Sequence, residues 1–486
     1  MALTIIRITP QAVAEMIVQL TKQKLCERSV VLHEMIDKVE DGLVGAMYAV
    51  STNKVFFMGN WRDRLLIMVA AFVLLFSVRA GAYDFPFEDP LLATVAGTPS
   101  RYQADLPTDA PRKTLELTMK PPGEIPEIFW YDRALRYSFL KQKQPAPLIF
   151  VIAGTGAGHT GRTVDILHRV FYKAGFHVIV LPSPTHSNFV TAASATSVPG
   201  HAYDDAEDLY KVMEAAYAQV KDTIEVTDFF MTGYSLGGFN AAFIAKLDEE
   251  RRIFNFKKVL VLCPPVSLYN SVNILDAMLD DNVPTDAAGI DNYIDHVFGS
   301  LAAVYQENQH VEFVGDFMYI AYQELKPGAE ALEGLIGLAF RFSSANMAFT
   351  SDVITNSGFV VRKNTGLGIT TSLTPFAITG FRASFADYLD GIMVPYFGAR
   401  DASLTRDRLI ELSSLQEIES YLSTADHIGM MTNADEIILA PGELDYLREL
   451  FGDRATVYPR GGHCGNLAFP DNVEDMTAFF KGKAGE

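Results

Sequence analysis

The chain has almost no cysteine: three residues in 486, at positions 26, 263 and 464. That excludes a disulfide framework as the source of stability. It leaves room for at most one bridge between Cys263 and Cys464, which sequence cannot assign. Basic charge is also short. The formal net charge is −19, so no basic footprint is left to neutralise phosphates, and a nucleic-acid partner is excluded. Solenoid repeats and low-complexity tracts are missing too. What remains is ordinary for a globular chain with a real core: 49% apolar and 20% charged residues. The length suits one large α/β domain carrying an insertion.

Residues 1–57 hold nothing catalytic. A short amphipathic helix carrying Val13, Met16, Ile17 and Leu20 on one face is expected after Pro10. From Met58 the character changes. Arg62 and Arg64 precede the apolar run Leu65–Val78, and Ala80-Gly81-Ala82 follows as a small-x-small site. That is the layout of a secretory signal peptide across 58–82, with an apolar run short for a membrane span. The expectation is translation from Met58, an upstream extension at 1–57, and a periplasmic or secreted mature protein. The alternative is an uncleaved anchor that attaches the protein to a membrane through residues 65–78. Cleavage after Ala82 would move the net charge to about −21.

Beyond a Pro-rich lead, the pattern alternates strand and helix. Strands are expected at Thr114–Lys120, Glu127–Tyr137, Leu148–Ala153, His177–Leu181, Phe229–Tyr234, Lys258–Leu262, His427–Thr432 and Ala455–Tyr458. Helical spacing falls between them, at 162–174, 202–220, 404–422, 442–451 and 472–481. Continuous apolar runs such as Leu148-Ile149-Phe150-Val151-Ile152-Ala153 suit strands buried on both faces. The alternation argues a parallel, doubly wound sheet, with the site at the carboxyl ends of its strands. It stops between Pro264 and about Gly398. That is too long for a connecting loop, and helical patterns at 290–305 and 329–342 predict a helical cap at 266–398. The core then comprises 83–265 and 399–486.

One stretch organises the chain: Phe229-Phe230-Met231-Thr232-Gly233-Tyr234-Ser235-Leu236-Gly237-Gly238. An apolar strand runs into a glycine-rich turn and a small-residue helix, and Gly233–Gly237 fits G-x-S-x-G. Ser235 is the expected nucleophile, and Gly233 and Gly237 avoid collision with the flanking strand and helix. Leu236 N–H opens a helix and faces any oxyanion. A serine needs a base, and the base needs a carboxylate. His463 is the expected base, in the loop Gly461-Gly462-His463-Cys464-Gly465 past the last strand. Asp435, beyond the end of the penultimate strand, is the expected acid, with Glu436 beside it as the alternative. In Gly154-Thr155-Gly156, after a core strand, the Thr155 N–H is favoured over Gly156 as the second oxyanion donor. A phosphate cradle there lacks the full glycine spacing and a Walker lysine. No metal or cofactor is expected.

With Gly233-Tyr234-Ser235-Leu236-Gly237, the order Ser235, Asp435, His463 and the Gly154-Thr155-Gly156 turn, the chain resembles the α/β-hydrolase superfamily. The resemblance covers about 112–265 and 400–481. It implies a mostly parallel eight-stranded sheet flanked by helices, with an inserted cap, and a serine hydrolase of the esterase or lipase kind working through an acyl-enzyme. Ala153-Gly154 stands where many members carry His-Gly. The implied substrate is a small-molecule or lipid ester. A thioesterase, a peptidase or amidase, and a non-catalytic envelope binding protein are the alternatives on the same fold.

Overall fold

A computed structural model describes residues 83–283, 287–307 and 316–481. The expected signal segment at 58–82 and the extension before it lie outside these residues. In chain order, the elements that position the site are helix α1 (Pro90–Ala96), strands β1 (Lys113–Leu117), β2 (Leu135–Leu140) and β3 (Ala146–Ile152), and helix α2 (Arg162–Lys173). Strand β4 (His177–Leu181), helix α3 (Ala202–Val220), strand β5 (Val226–Tyr234), helix α4 (Leu236–Arg251) and strand β6 (Lys258–Leu262) follow. After the cap come β7 (Ile428–Asn433), α9 (Glu443–Phe451), β8 (Ala455–Tyr458) and α10 (Pro470–Lys481); the cap supplies α5 to α8.

The eight strands form one sheet in the order β1-β2-β4-β3-β5-β6-β7-β8. β2 runs antiparallel to both β1 and β4, and every pairing from β4 to β8 is parallel. This is the mostly parallel eight-stranded sheet flanked by helices that the sequence predicts. Its centre is buried on both faces: Leu148 to Ala153 are wholly inaccessible, as are Val178 to Leu181. Parallel strands joined through helical crossovers need such two-sided cover, which explains why the β3 run reads as continuously apolar rather than alternating. α3 and α4 supply the cover on one side through Leu209, Val212, Met213, Phe239 and Phe243.

Three elements outside the cap differ markedly from expectation. The second strand is Leu135–Leu140, not Glu127–Tyr137, because Glu127–Asp132 after Pro126 winds into a 3₁₀ turn. Proline fixes that entry, and the turn buries Ile128 and Phe129 while leaving Trp130 and Tyr131 outside. The first strand stops at Leu117. The helix expected over 404–422 is broken after Arg406–Leu412. There Ser413 Oγ donates to Gly200 O (2.7 Å) and Ser414 Oγ to Val266 O (3.1 Å), a competition with helical bonding that serines favour.

Between β6 and β7 the described residues contain helices and no strand: α5 (Leu268–Asp280), α6 (Ala287–Glu307), α7 (Phe317–Leu325), α8 (Ala329–Thr355) and a run of short helices over 374–398. Nothing in the sequence stops α8 at Phe342, and it continues to Thr355, where Asn356 takes the left-handed conformation that ends it. Two buried charges hold this layer. Arg341 on α8 donates through Nε to Asp276 Oδ1 (2.9 Å) and through Nη2 to Asp280 Oδ1 (3.0 Å), tying α8 to α5. Asp352 accepts four consecutive backbone N–H groups, from Gly358 to Val361, at 2.6–2.9 Å. Its carboxylate also accepts from the Ser357 hydroxyl. No helix among the described residues is long and apolar enough to cross a membrane.

Candidate active site

Strand β5 ends at Tyr234 and α4 begins at Leu236, so Ser235 alone makes the turn. Its backbone sits at φ 54°, ψ −128°, a strained conformation for a residue with a Cβ. The neighbours enforce it. A Cβ on Gly233 would lie 2.2 Å from Gly237 O, and one on Gly237 would lie 2.2 Å from Ile152 O. Only glycine fits at either position, which is the physical content of the motif. Ser235 N–H is anchored to Leu262 O at 2.8 Å.

The strain lifts the hydroxyl to His463. His463 Nε2 stands 2.9 Å from Ser235 Oγ, and on the far side Nδ1 stands 2.9 Å from a carboxylate. That carboxylate belongs to Glu436, not to the expected Asp435. Asp435 instead accepts Gly461 N–H (3.1 Å) and Gly462 N–H (3.0 Å). The two residues leave β7 pointing different ways. The shorter side chain reaches the near backbone of the histidine loop, and only the longer one spans to the ring. Burial pushes the Asp435 carboxyl up from its ordinary range, while the two glycine N–H groups pull it back. The Glu436 side chain is 1% exposed and that of His463 17%, so this pair works out of bulk water, where a charge-assisted bond is strong.

The histidine loop is held by parts that sequence reading missed. His463 N–H donates to Thr94 Oγ1 (2.9 Å) on α1, and a Cβ on Gly462 would fall 2.2 Å from Pro90 O. The Pro-rich lead is therefore a clamp on the loop. Asp89 capping Leu91 N–H and Leu92 N–H, with proline at the first helical turn, was the signal that a helix starts there. Asn433 Nδ2 donates to Gly462 O (2.7 Å), and Asn466 Nδ2 donates to Asn433 Oδ1 (2.5 Å); nothing in the sequence distinguishes these asparagines. Cys263 and Cys464 are both free. Cys464 Sγ lies 3.9 Å from His463 Nε2, and burial, then its Cys263 neighbour, pushes its thiol up and keeps it neutral.

For the oxyanion, Leu236 N–H is the first amide of α4 and one of the donors every helix start leaves unpaired. Gly154 abuts the nucleophile, since a Cβ there would be 3.2 Å from Ser235 Cβ. Gly156 N–H is already taken by Thr185 Oγ1 at 2.8 Å, which removes the alternative to Thr155 as the second donor. α8 crosses above: a Cβ on Gly156 would meet Ser343 Cβ at 2.5 Å. The next face of α8, with Phe342, Ala345 and Phe349, lines an open cleft of about 310 Å³ together with Leu373, Ile378 and Phe381 from the segment that follows it. None of Ser235, His463 or Glu436 lines it. His159 Nδ1 stands 2.8 Å from Ser138 Oγ, away from this constellation. Among the described residues no cluster of His, Cys, Asp and Glu is arranged to hold a metal ion.

No family model matches the sequence, and no curated protein matches it. Solved structures do. A hyperthermophilic esterase from the archaeon Pyrobaculum calidifontis is 13% identical over 93% of this chain and 97% of its own, with a TM-score of 0.35. An esterase from Rhizomucor miehei is 11% identical over 81% and 88%, TM-score 0.35. Est1E from Butyrivibrio proteoclasticus is 19% identical over 31% of this chain, TM-score 0.22, and this chain spans about half of its length (51%). Such TM-scores decide neither activity nor substrate, and the geometry at Ser235 has to speak for both.

Proposed function

We propose that the protein is a serine hydrolase cleaving carboxylic esters through a Ser235–His463–Glu436 triad and an acyl-enzyme. The observation that carries this reading is the pair of 2.9 Å contacts, serine to imidazole and imidazole to carboxylate, at a strained strand-to-helix turn. His463 Nε2 takes the Ser235 proton as Oγ attacks the carbonyl carbon. Glu436 holds the proton on Nδ1 and stabilises the imidazolium. Leu236 and Thr155 N–H groups receive the oxyanion, a contribution of about 3 kcal/mol per donor in comparable sites. His463 then protonates the departing alcohol, and water repeats the sequence to release the acid. The apolar cap favours acyl or aryl esters over charged ones. The signal-like segment at 58–82 supports export as the setting.

The test is fluorophosphonate labelling of the native protein against Ser235→Ala, followed by ester and amide panels. Labelling that vanishes in the variant, with esters turned over, is the expected outcome. No labelling of folded native protein would overturn the reading.

A further inference from the structure

Eight large hydrophobic side chains are exposed among the described residues, and five of them gather in one region: Trp130, Tyr131, Phe342, Leu373 and Ile378, at 37–53% exposure. Their grouping follows from contacts. Tyr131, Phe342, Leu373 and Ile378 line the same 310 Å³ cleft, and Trp130 packs edge-on against Tyr131 at 5.8 Å; Ile369, 58% exposed, precedes Leu373 by four residues in the chain. Single exposed apolar residues are normal on any surface, whereas a contiguous group around an open apolar cleft marks an interaction site.

The charge on this face runs against the rest of the chain. Residues 353–386 contain no Asp or Glu, although the chain carries 59, and hold Arg362, Lys363 and Arg382. All three basic side chains are exposed, as are Thr365, Thr370, Ser372, Thr374 and Thr379 between them. A net charge of −19 is thus interrupted by a cationic, hydroxyl-rich and apolar stretch, and the Trp130 turn beside it adds exposed Glu124, Glu127 and Arg133, which leaves the face with a surplus of cations. An aromatic pair, isolated aliphatic tips, hydroxyls and more cations than carboxylates is a composition that sits at a headgroup boundary, where rings lie at the interface and cations meet lipid phosphates. The cleft behind it is mostly apolar on its walls, with Asn346 and Arg382 as its polar members, and of a size for a small apolar ligand.

From this we infer that the face built by the Trp130 turn, α8 and residues 362–382 docks on an anionic lipid bilayer, with the cleft receiving one acyl chain. The docking does not depend on the chemistry at Ser235. The substrate class it implies, esters presented at a lipid surface, does rest on the proposed hydrolase reading. α8 connects the two places, with Phe342 on the cleft and Ser343 against Gly156 of the oxyanion turn.

The chain has two tryptophans, so the full-length Trp61→Phe protein reports from Trp130 alone. Vesicles of phosphatidylcholine with phosphatidylglycerol are added, with and without bromine on the acyl chains. The apolar run at 65–78 could bring the protein to vesicles by itself, so the readout is the environment of Trp130, not co-sedimentation. The expected result is a blue shift of Trp130 emission and its quenching by brominated chains, both weakened by salt and by omission of phosphatidylglycerol. Ile369→Glu with Ile378→Glu, both exposed positions, should lower the apparent partition constant for this shift about tenfold or more while near-ultraviolet dichroism stays native. Ser235→Ala should dock unchanged, so that loss of hydrolysis and loss of docking are read separately. Trp130 emission indifferent to saturating vesicles would overturn the inference. So would emission already shifted before lipid is added, which would mean that the chain's own 65–78 run covers the face. A shift that follows protein concentration rather than lipid would assign the face to a second copy of the chain, and would equally overturn it.

Discussion

At the scale of single residues, the acid is where neighbours part company. Asp435 and Glu436 are adjacent, both acidic and both past the end of β7, yet one braces the loop and the other meets the imidazole. Glu436→Gln should lower kcat by about 10³–10⁴-fold with KM little changed, because the amide favours the wrong histidine tautomer. Asp435→Ala should act differently. It leaves the Gly461 and Gly462 N–H groups without their acceptor and costs about 1–3 kcal/mol of stability, read by denaturant unfolding, with a smaller kcat loss than Glu436→Gln. If Asp435→Ala proved the more damaging to kcat at equal folding, the two carboxylates would have to exchange roles.

At the scale of elements, the cap is organised by two buried charges rather than by apolar packing alone. The Asp352 carboxylate, 1% exposed, is the centre around which residues 357–361 turn. Asp352→Ala strands four backbone donors and should cost about 3 kcal/mol or more. Amide hydrogen exchange should rise first at 357–361, with the β3–β7 amides unaffected. Arg341→Ala leaves Asp276 buried without its cation, and should destabilise the α5–α8 contact by about 3 kcal/mol. Exchange in the two variants that rose uniformly over the sheet would mean that the cap does not unfold separately from it.

At the scale of the whole molecule, stability should respond to acid through histidines that the fold keeps neutral. His159 is held down to about 4 from an ordinary 6.5, first by burial and then by Arg136. The folded chain therefore releases this proton between 6.5 and about 4, where the unfolded chain still binds it. The sign follows: stability is intact above 6.5 and falls as pH drops through that window. Several carboxyls are raised by burial, among them Asp205 and Asp276, and these work in the opposite direction, so the total curve alone is not diagnostic. The difference is. Between about pH 7 and about pH 5, the native protein should lose more stability than His159→Gln, and parallel losses in the two would remove His159 from the account.

Local sequence determined the parts whose physics is local. The elbow was legible because Gly233 and Gly237 answer a steric demand set within five residues of Ser235, and the sheet because strands buried on both faces are written as unbroken apolar runs. His463 was legible from a glycine-flanked loop after the last strand. What only the tertiary structure decided needs distances between segments far apart in the chain. Which of two adjacent carboxylates reaches an imidazole depends on how β7 exits against a loop more than twenty residues later. Thr94, more than three hundred residues before His463, could be recognised as its support only once α1 had folded onto that loop. The carboxylate-free stretch at 353–386 can be counted in the sequence, yet its meaning as a surface appears only when the Trp130 turn and α8 are brought beside it.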